Sequence, residues 1–436
     1  MKKRNPRNWR ALDVFVVAGL MIAMAACGGA GTAETTEAPP AAEGGRTLTV
    51  WGFVWTADWL DSIAPGFEAT HPGVTVEVGR FEYDAYQDMV LTTLASGEGV
   101  PDVATLDPMW AGDLIRGGTL LPLDGAATDL DVADFVPGGY DLYAWQGVQY
   151  GVPLDLDFNL LFYRKDVYDA AMATLGMTEF PSNTDDYLRL AHEVVNQTGK
   201  PAVIIYQGDY YAWYQSFLAP LGGNLINDAG NEYIFNDATA VQALQLYSDV
   251  VRVEQVGKLW NWDTDGDPMV ALSNGEVMAV MHGSWFATEI ASGAPDMAGQ
   301  WAIAPNPWGA PDRPYSAATG GACLSIPYNA AEPDLAWEFI TYAMTPENQA
   351  SYFLIVGGVP SLQTSWTDPA FDEINEYFGI PLGRSVANWS LSVMPMQLPS
   401  LEVGDLIGEA ITAATTGQAT PQDALNSALE MAPPLE

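Results

Sequence analysis

Basic side chains are scarce in this sequence. Its 436 residues carry 16 Lys and Arg against 55 Asp and Glu, a formal net charge of −39 at pH 7. Nucleic acid is therefore not expected as a partner, because phosphate contacts need Lys and Arg in number. The same field disfavours a phosphorylated small ligand, although a local Arg pair can override a screened, distant field. Histidine is nearly absent, with His71, His192 and His282 far apart, and the cysteines are two, Cys27 and Cys323. No His/Cys cluster has metal-ligand spacing, so no metal is expected. Neither a G-x-S-x-G elbow nor a Walker A loop occurs, and no cofactor is expected. "DTDGDP" (263–268) approaches a calcium loop, but its Gly is misplaced and Asn274 stands where the closing Glu belongs. Asp267-Pro268 reads instead as a helix start.

Apolar residues, by contrast, make up 48% of the chain, which excludes a mostly disordered protein. The length suffices for two or three lobes with cores of their own. Aromatics are plentiful, with 15 Trp and 19 Tyr, and some of that Trp is more than such cores need, which points to aromatic contacts with a ligand. The N-terminus is a separate matter. Lys2, Lys3, Arg4, Arg7 and Arg10 precede the apolar run "VFVVAGLMIAMAA", too short to span a bilayer comfortably, and small residues lead to Cys27. This resembles a bacterial lipobox, which implies a signal peptide over 1–27 and acylation of Cys27. The small, acidic, Pro/Gly-rich stretch 28–46 reads as a flexible tether. No later run of 18 apolar residues follows. Cys323, without a partner, is expected to be a small buried apolar residue and no disulfide is expected.

From residue 47 strand-like and helix-like segments alternate. "TLTVWGF", "VTVEV", "PDVATLD", "PAVIIY" and "VMAVMH" read as strands. Between them lie helical patterns. One has Trp59, Leu60, Ile63 and Phe67 on a face; one has Asp84 as a candidate cap and Gly97 as a stop; one is capped at Thr184, with two acids in its first turn. The alternation predicts an α/β protein with mostly parallel sheets. One stretch raises a question. In "GVPLDLDFNLLFYRKD" (151–166), read as one strand, one face is Val152, Leu154, Leu156, Phe158, Leu160 and Phe162. The other carries Asp155, Asp157 and Asn159. Those carboxylates either meet water or line a cleft for a polar ligand.

The order of further motifs resembles a family. "VWGF", "HPGVTVEV", "LASGEGVPDVATLD", "GGTLLPLD", "GVQYGVPLDLDFNLLFYRKDVYDAA" and "FPSNTDDYLRLA" are followed by "APLGGN", "GEVMAVMHGSW", "GGACLSIP", "AWEFITYAMTPENQ", "GGVPS" and "TTGQATPQDAL". Over about 47–432 this is similar to the extracellular solute-binding proteins of bacterial ABC importers, in the branch of maltose-binding protein. The resemblance implies an α/β, two-lobed periplasmic-binding-protein-like fold with a hinge and an interlobe ligand cleft. By analogy the N-terminal lobe takes 47–155 plus 322–366, and the C-terminal lobe 156–321 plus 367–436. It also implies a sugar or oligosaccharide ligand, a membrane permease as partner, no enzymatic activity, a monomer, and an extracytoplasmic location, lipid-anchored at the outer face or in a periplasm.

A sugar needs acceptors and donors for its hydroxyls and rings against its C–H faces. The resemblance places Asp157 at the family's sugar-contacting acid, six residues before Tyr163, which answers the question in favour of the cleft. The same resemblance marks Trp55 after the first strand, where maltose binders carry a charged pair instead. It marks Asp107 and Trp110 after the third strand, Tyr210 and Trp213 in the aromatic run 206–217, and Trp285 in "HGSW" as a ring that stacks on sugar. Gly320 and Gly321 permit close backbone approach, and Trp389 and Glu402 are C-terminal additions. Two other readings stand beside this one. A polyamine or other cationic solute would also take acids and aromatic boxes. A glycosidase would need two carboxylates flanking a bond, whereas Asp155 and Asp157 lie side by side on one strand face.

Overall fold

Asp102 shows how the first layer is assembled. Its carboxylate accepts the Thr49 N–H and hydroxyl, each at 2.8 Å, and the Glu332 N–H at 2.8 Å, tying three distant segments together. The computed structural model describes residues 45–123, 129–309, 316–318, 320–396 and 398–435. The leader, Cys27 and residues 28–44 of the expected tether lie outside the described residues. Residue 46, the end of that tether in the sequence reading, already belongs to the strand Arg46–Phe53.

That strand is sandwiched in a five-stranded sheet. The order is Val74–Phe81, Arg46–Phe53, Val103–Leu106, Cys323–Ser325, Gly151–Pro153. The first two pairings are parallel and the last two antiparallel. Leu48, Val50, Phe67, Val103, Val152, Leu324 and Phe339 fill one core around it. Cys323 is fully buried there, and burial pushes its thiol up to about 12.

A second set of strands has its own packing. Asn159–Arg164 runs antiparallel between Ala279–Gly283 and Trp301–Pro305. Val203–Tyr206 and Gly257–Trp260 pair in parallel. Helices Thr184–Thr198, Ala238–Arg252 and Leu401–Thr415 contribute Tyr187, Leu244 and Ile407 to a core that also holds Leu161. Phe162, Val280, Phe286 and Phe371 belong to a further cluster on the other side of those strands. The sheets are thus mixed, where the sequence predicts mostly parallel ones. Asn159–Arg164 runs against both of its neighbours, Ala279–Gly283 and Trp301–Pro305, which the helix Phe286–Gly293 connects, and Cys323–Ser325 likewise runs against Val103–Leu106 and Gly151–Pro153.

Local chemistry sets the helix ends. Asn183, not Thr184, caps its helix: its Oδ1 accepts the Asp186 N–H at 2.9 Å, and Asp185 and Asp186 oppose the dipole from the first turn. Asp84 likewise lies inside the first turn of Tyr83–Ser96, and Gly97 ends that helix in the left-handed region. Asp267 does cap Pro268–Ser273, accepting from Met269 N–H at 2.8 Å.

The stretch 151–166 is not one strand. It forms Gly151–Pro153 in the first sheet, Asp155–Leu156 against Val359–Pro360, and Asn159–Arg164 in the second set. Both faces are buried from Gly151 to Tyr163, because each piece has a sheet neighbour and a covering layer. Asp157 pairs with Gly320 as an isolated bridge, Leu154 N–H donates to Ala322 O at 2.7 Å, and Ser361 N–H to Leu154 O at 3.0 Å. Segments 153–159, 320–323 and 357–361 therefore run together between the two sets of strands.

Candidate ligand-binding site

Three carboxylates mark this junction. Asp157 is almost fully buried. Its Oδ1 accepts the Ser284 N–H at 2.7 Å and the Ser284 hydroxyl at 2.8 Å, and its Oδ2 accepts the Tyr211 hydroxyl at 3.3 Å. Asp155 Oδ1 accepts the Ala322 N–H at 2.7 Å. Asp107 caps the helix Pro108–Arg116 through Met109 N–H at 2.8 Å and takes the Tyr83 hydroxyl at 2.9 Å. Burial raises the pKa of all three, to about 7 for Asp107 and Asp155. Their mutual repulsion raises Asp107 and Asp155 further.

The backbone around them leaves no space for side chains. Gly321 sits at φ +107°, and a Cβ there would lie 2.5 Å from Asp155 O. A Cβ at Gly283 would lie 2.5 Å from Asp157 Oδ2. Glycine at these points lets the loop carrying Ser284 and the segment 320–322 close on the carboxylates.

Aromatic rings surround the acids. Trp285 is 42% exposed beside Gly283, edge-on to His282 with ring centres 4.7 Å apart. Trp55 is 45% exposed and stacks on Tyr83 at 5.6 Å and 15°, so that Trp55, Tyr83 and Asp107 form one linked unit. Tyr210 is nearly buried. Its hydroxyl finds no partner among the described residues, and Asp107 is among the charges that act on it. A cavity of about 260 Å³ opens beside Ser284, lined by Thr288, Phe353, Gly357, Val359 and Asn375 among others.

The structure thus brings together Trp55, Asp107, Asp157, Tyr210, Trp285, Gly320 and Gly321. Four expected residues fall elsewhere. Trp110 is 1% exposed and packs in the first core, its indole directed at Tyr83 Oη, because the apolar face of its helix turns inward. Trp213 is fully buried in the core of the second set of strands. In the short helix Tyr210–Trp213, which Asp209 caps, adjacent positions diverge: Trp213 faces the core while Tyr211 reaches Asp157. Trp389 packs against the cluster holding Phe371 and Val386. Glu402 is exposed in the first turn of Leu401–Thr415, where Leu401 N–H donates to Asp113. Tyr83, Tyr211 and Ser284 were missed by sequence reasoning. Tyr211 was legible as one of the adjacent aromatics of 206–217; Ser284 and Tyr83 carry no signal apart from their nearness to Trp285 and Asp84.

Among the described residues no helix is long and apolar enough to cross a membrane, and no cluster of His, Cys, Asp and Glu could hold a metal ion.

Known proteins resemble this chain in sequence and fold. The arabinooligosaccharide-binding protein of Halalkalibacterium halodurans is 24% identical over 79% of this chain and 78% of its own length. The lactose-binding protein of Rhizobium radiobacter is 26% identical over 88% and 91%. The solved sugar-binding protein MalE of Xanthomonas citri superposes with a TM-score of 0.75 at 22% identity, covering 88% of this chain and 95% of that one, and shares its two-lobed fold. Residues 54–350 match the bacterial extracellular solute-binding protein family as a whole, and the chain belongs to that family.

Proposed function

We propose that the protein is the sugar-capturing receptor of an ABC importer, closing on a neutral oligosaccharide between its lobes. One observation carries this reading: Asp157, with Tyr211 and Ser284 on its carboxylate, lies beside the exposed indole of Trp285. A carboxylate with spare acceptor capacity next to an open ring suits hydroxyls and C–H faces in one ligand. The sugars for which the arabinooligosaccharide- and lactose-binding relatives are named point the same way. The segments 153–159, 320–323 and 357–361 serve as the hinge, with lobes divided near 155, 321 and 366. Acylated Cys27 holds the protein at the outer face of a membrane, and as a monomer the closed form docks on a permease. Family members are binding proteins, and a binding role without catalysis fits a site whose acids are held side by side.

The test is intrinsic Trp fluorescence and melting temperature, titrated with mono- and oligosaccharides and with spermidine at two salt concentrations. A sugar that binds equally well in low and high salt and raises the melting temperature supports the reading. Spermidine binding that weakens with salt, with every sugar silent, replaces it by a receptor for a cationic solute.

A further inference from the structure

A second exposed indole lies near Trp285. Trp262 is 42% exposed, two residues beyond the end of Gly257–Trp260. That strand runs parallel to Val203–Tyr206 with Trp260 opposite Tyr206, so the chain leaves both strands at one edge. Ligands of α/β sheets gather at such carboxyl ends. Trp262 lies flat on Tyr206, ring centres 5.2 Å apart and planes within 3°. His282 stands perpendicular to both tryptophans, its ring 6.4 Å from Trp262 and 4.7 Å from Trp285. The two exposed indoles therefore flank one imidazole.

The surroundings are polar and incompletely paired. The Tyr206 hydroxyl is buried and has no hydrogen-bond partner among the described residues. Asp209, Asp267 and Glu289 are close enough to act on it electrostatically. His282 Nδ1 accepts the Gly283 N–H at 3.0 Å, and burial pushes the imidazole down to about 3, so this ring is neutral. An open indole backed by a second ring, a neutral imidazole and nearby carboxylates is what a neutral sugar ring requires.

We propose that Trp262 forms a second sugar-stacking subsite beside Trp285, so that the ligand is an oligosaccharide long enough to reach both indoles. This rests on the sugar-receptor reading above. It goes further by assigning a length requirement and a residue that enforces it.

Calorimetric titration with arabino- and malto-oligosaccharides, from one to six units, tests it. Trp262→Ala is expected to leave the shortest binding member unchanged and to weaken longer members at least tenfold, abolishing the gain of affinity with length. Trp262→Phe should recover part of that gain. If Trp262→Ala matches the wild type at every length, or weakens every length equally, the second subsite is wrong while the receptor reading stands. If the wild type binds neither these series nor any other sugar, both fall together.

Discussion

The two carboxylate oxygens of Asp157 are engaged differently. Oδ1 is committed twice to Ser284, whereas Oδ2 has one long bond from Tyr211 and keeps room for a ligand hydroxyl. Trp285, half exposed, has one ring edge on His282 and an open surface beyond it. Asp157→Ala and Trp285→Ala should each weaken sugar binding tenfold or more, about 1.4 kcal/mol, in folded protein. Wild-type affinity in both variants would remove these residues from the site. Buried aromatics should behave in the opposite way. Trp213 lies within a core, so Trp213→Ala should lower unfolding stability by about 3–5 kcal/mol before any ligand is added. Chemical denaturation without sugar reads this directly, and an unchanged midpoint would mean that Trp213 is not a core residue.

At the scale of elements, the sequence was read well where one periodicity ruled. The helix of Trp59, Leu60, Ile63 and Phe67 buries all four, and Gly97 ends its helix as expected. Reading failed where tertiary pairing decides. Period-two alternation over 151–166 looks like one strand, but three short segments join three different partners there, and only the folded chain reveals those partners. The same limit explains the site. Asp157 and Trp285 were legible because a motif carried them, whereas Ser284 and Tyr83 gain their roles only from contacts across the chain. Trp110 and Trp213 were assigned to ligand because an aromatic side chain reads alike in a core and in a cleft. Asp102 is a further case of long-range pairing. Asp102→Ala would strand the Thr49 and Glu332 N–H groups, at a cost of about 1–3 kcal/mol. It would leave sugar affinity unchanged, because none of its partners is in the site. Titration and melting of this variant separate the two effects, and a loss of affinity in stably folded protein would contradict that assignment.

For the whole molecule, the acids that shape the site also make folding pH-dependent. Asp155 and Asp107 titrate near 7 in the folded protein, chiefly because burial disfavours their charged form. In the unfolded chain they titrate near 4. Between about pH 4 and 7 the folded state thus holds more protons than the unfolded one, and stability falls as pH rises through this window. Above about 7 both states are ionised and these two groups add no further slope. Asp155 is the more deeply buried by surface exposure, and it should contribute more than half-buried Asp107, whose charge water partly screens. The empty protein should therefore melt at a higher temperature at pH 5 than at pH 8. General repulsion at a net charge of −39 acts in the same direction, so the wild-type profile alone cannot assign the cause. The discriminating measurement is the same pair of melts for Asp155→Asn, which keeps an acceptor for Ala322 N–H but has no proton to lose. The difference between pH 5 and pH 8 should shrink in this variant, through a relative gain at pH 8. A profile parallel to the wild type would mean that Asp155 is ionised throughout and that the slope belongs to the surface.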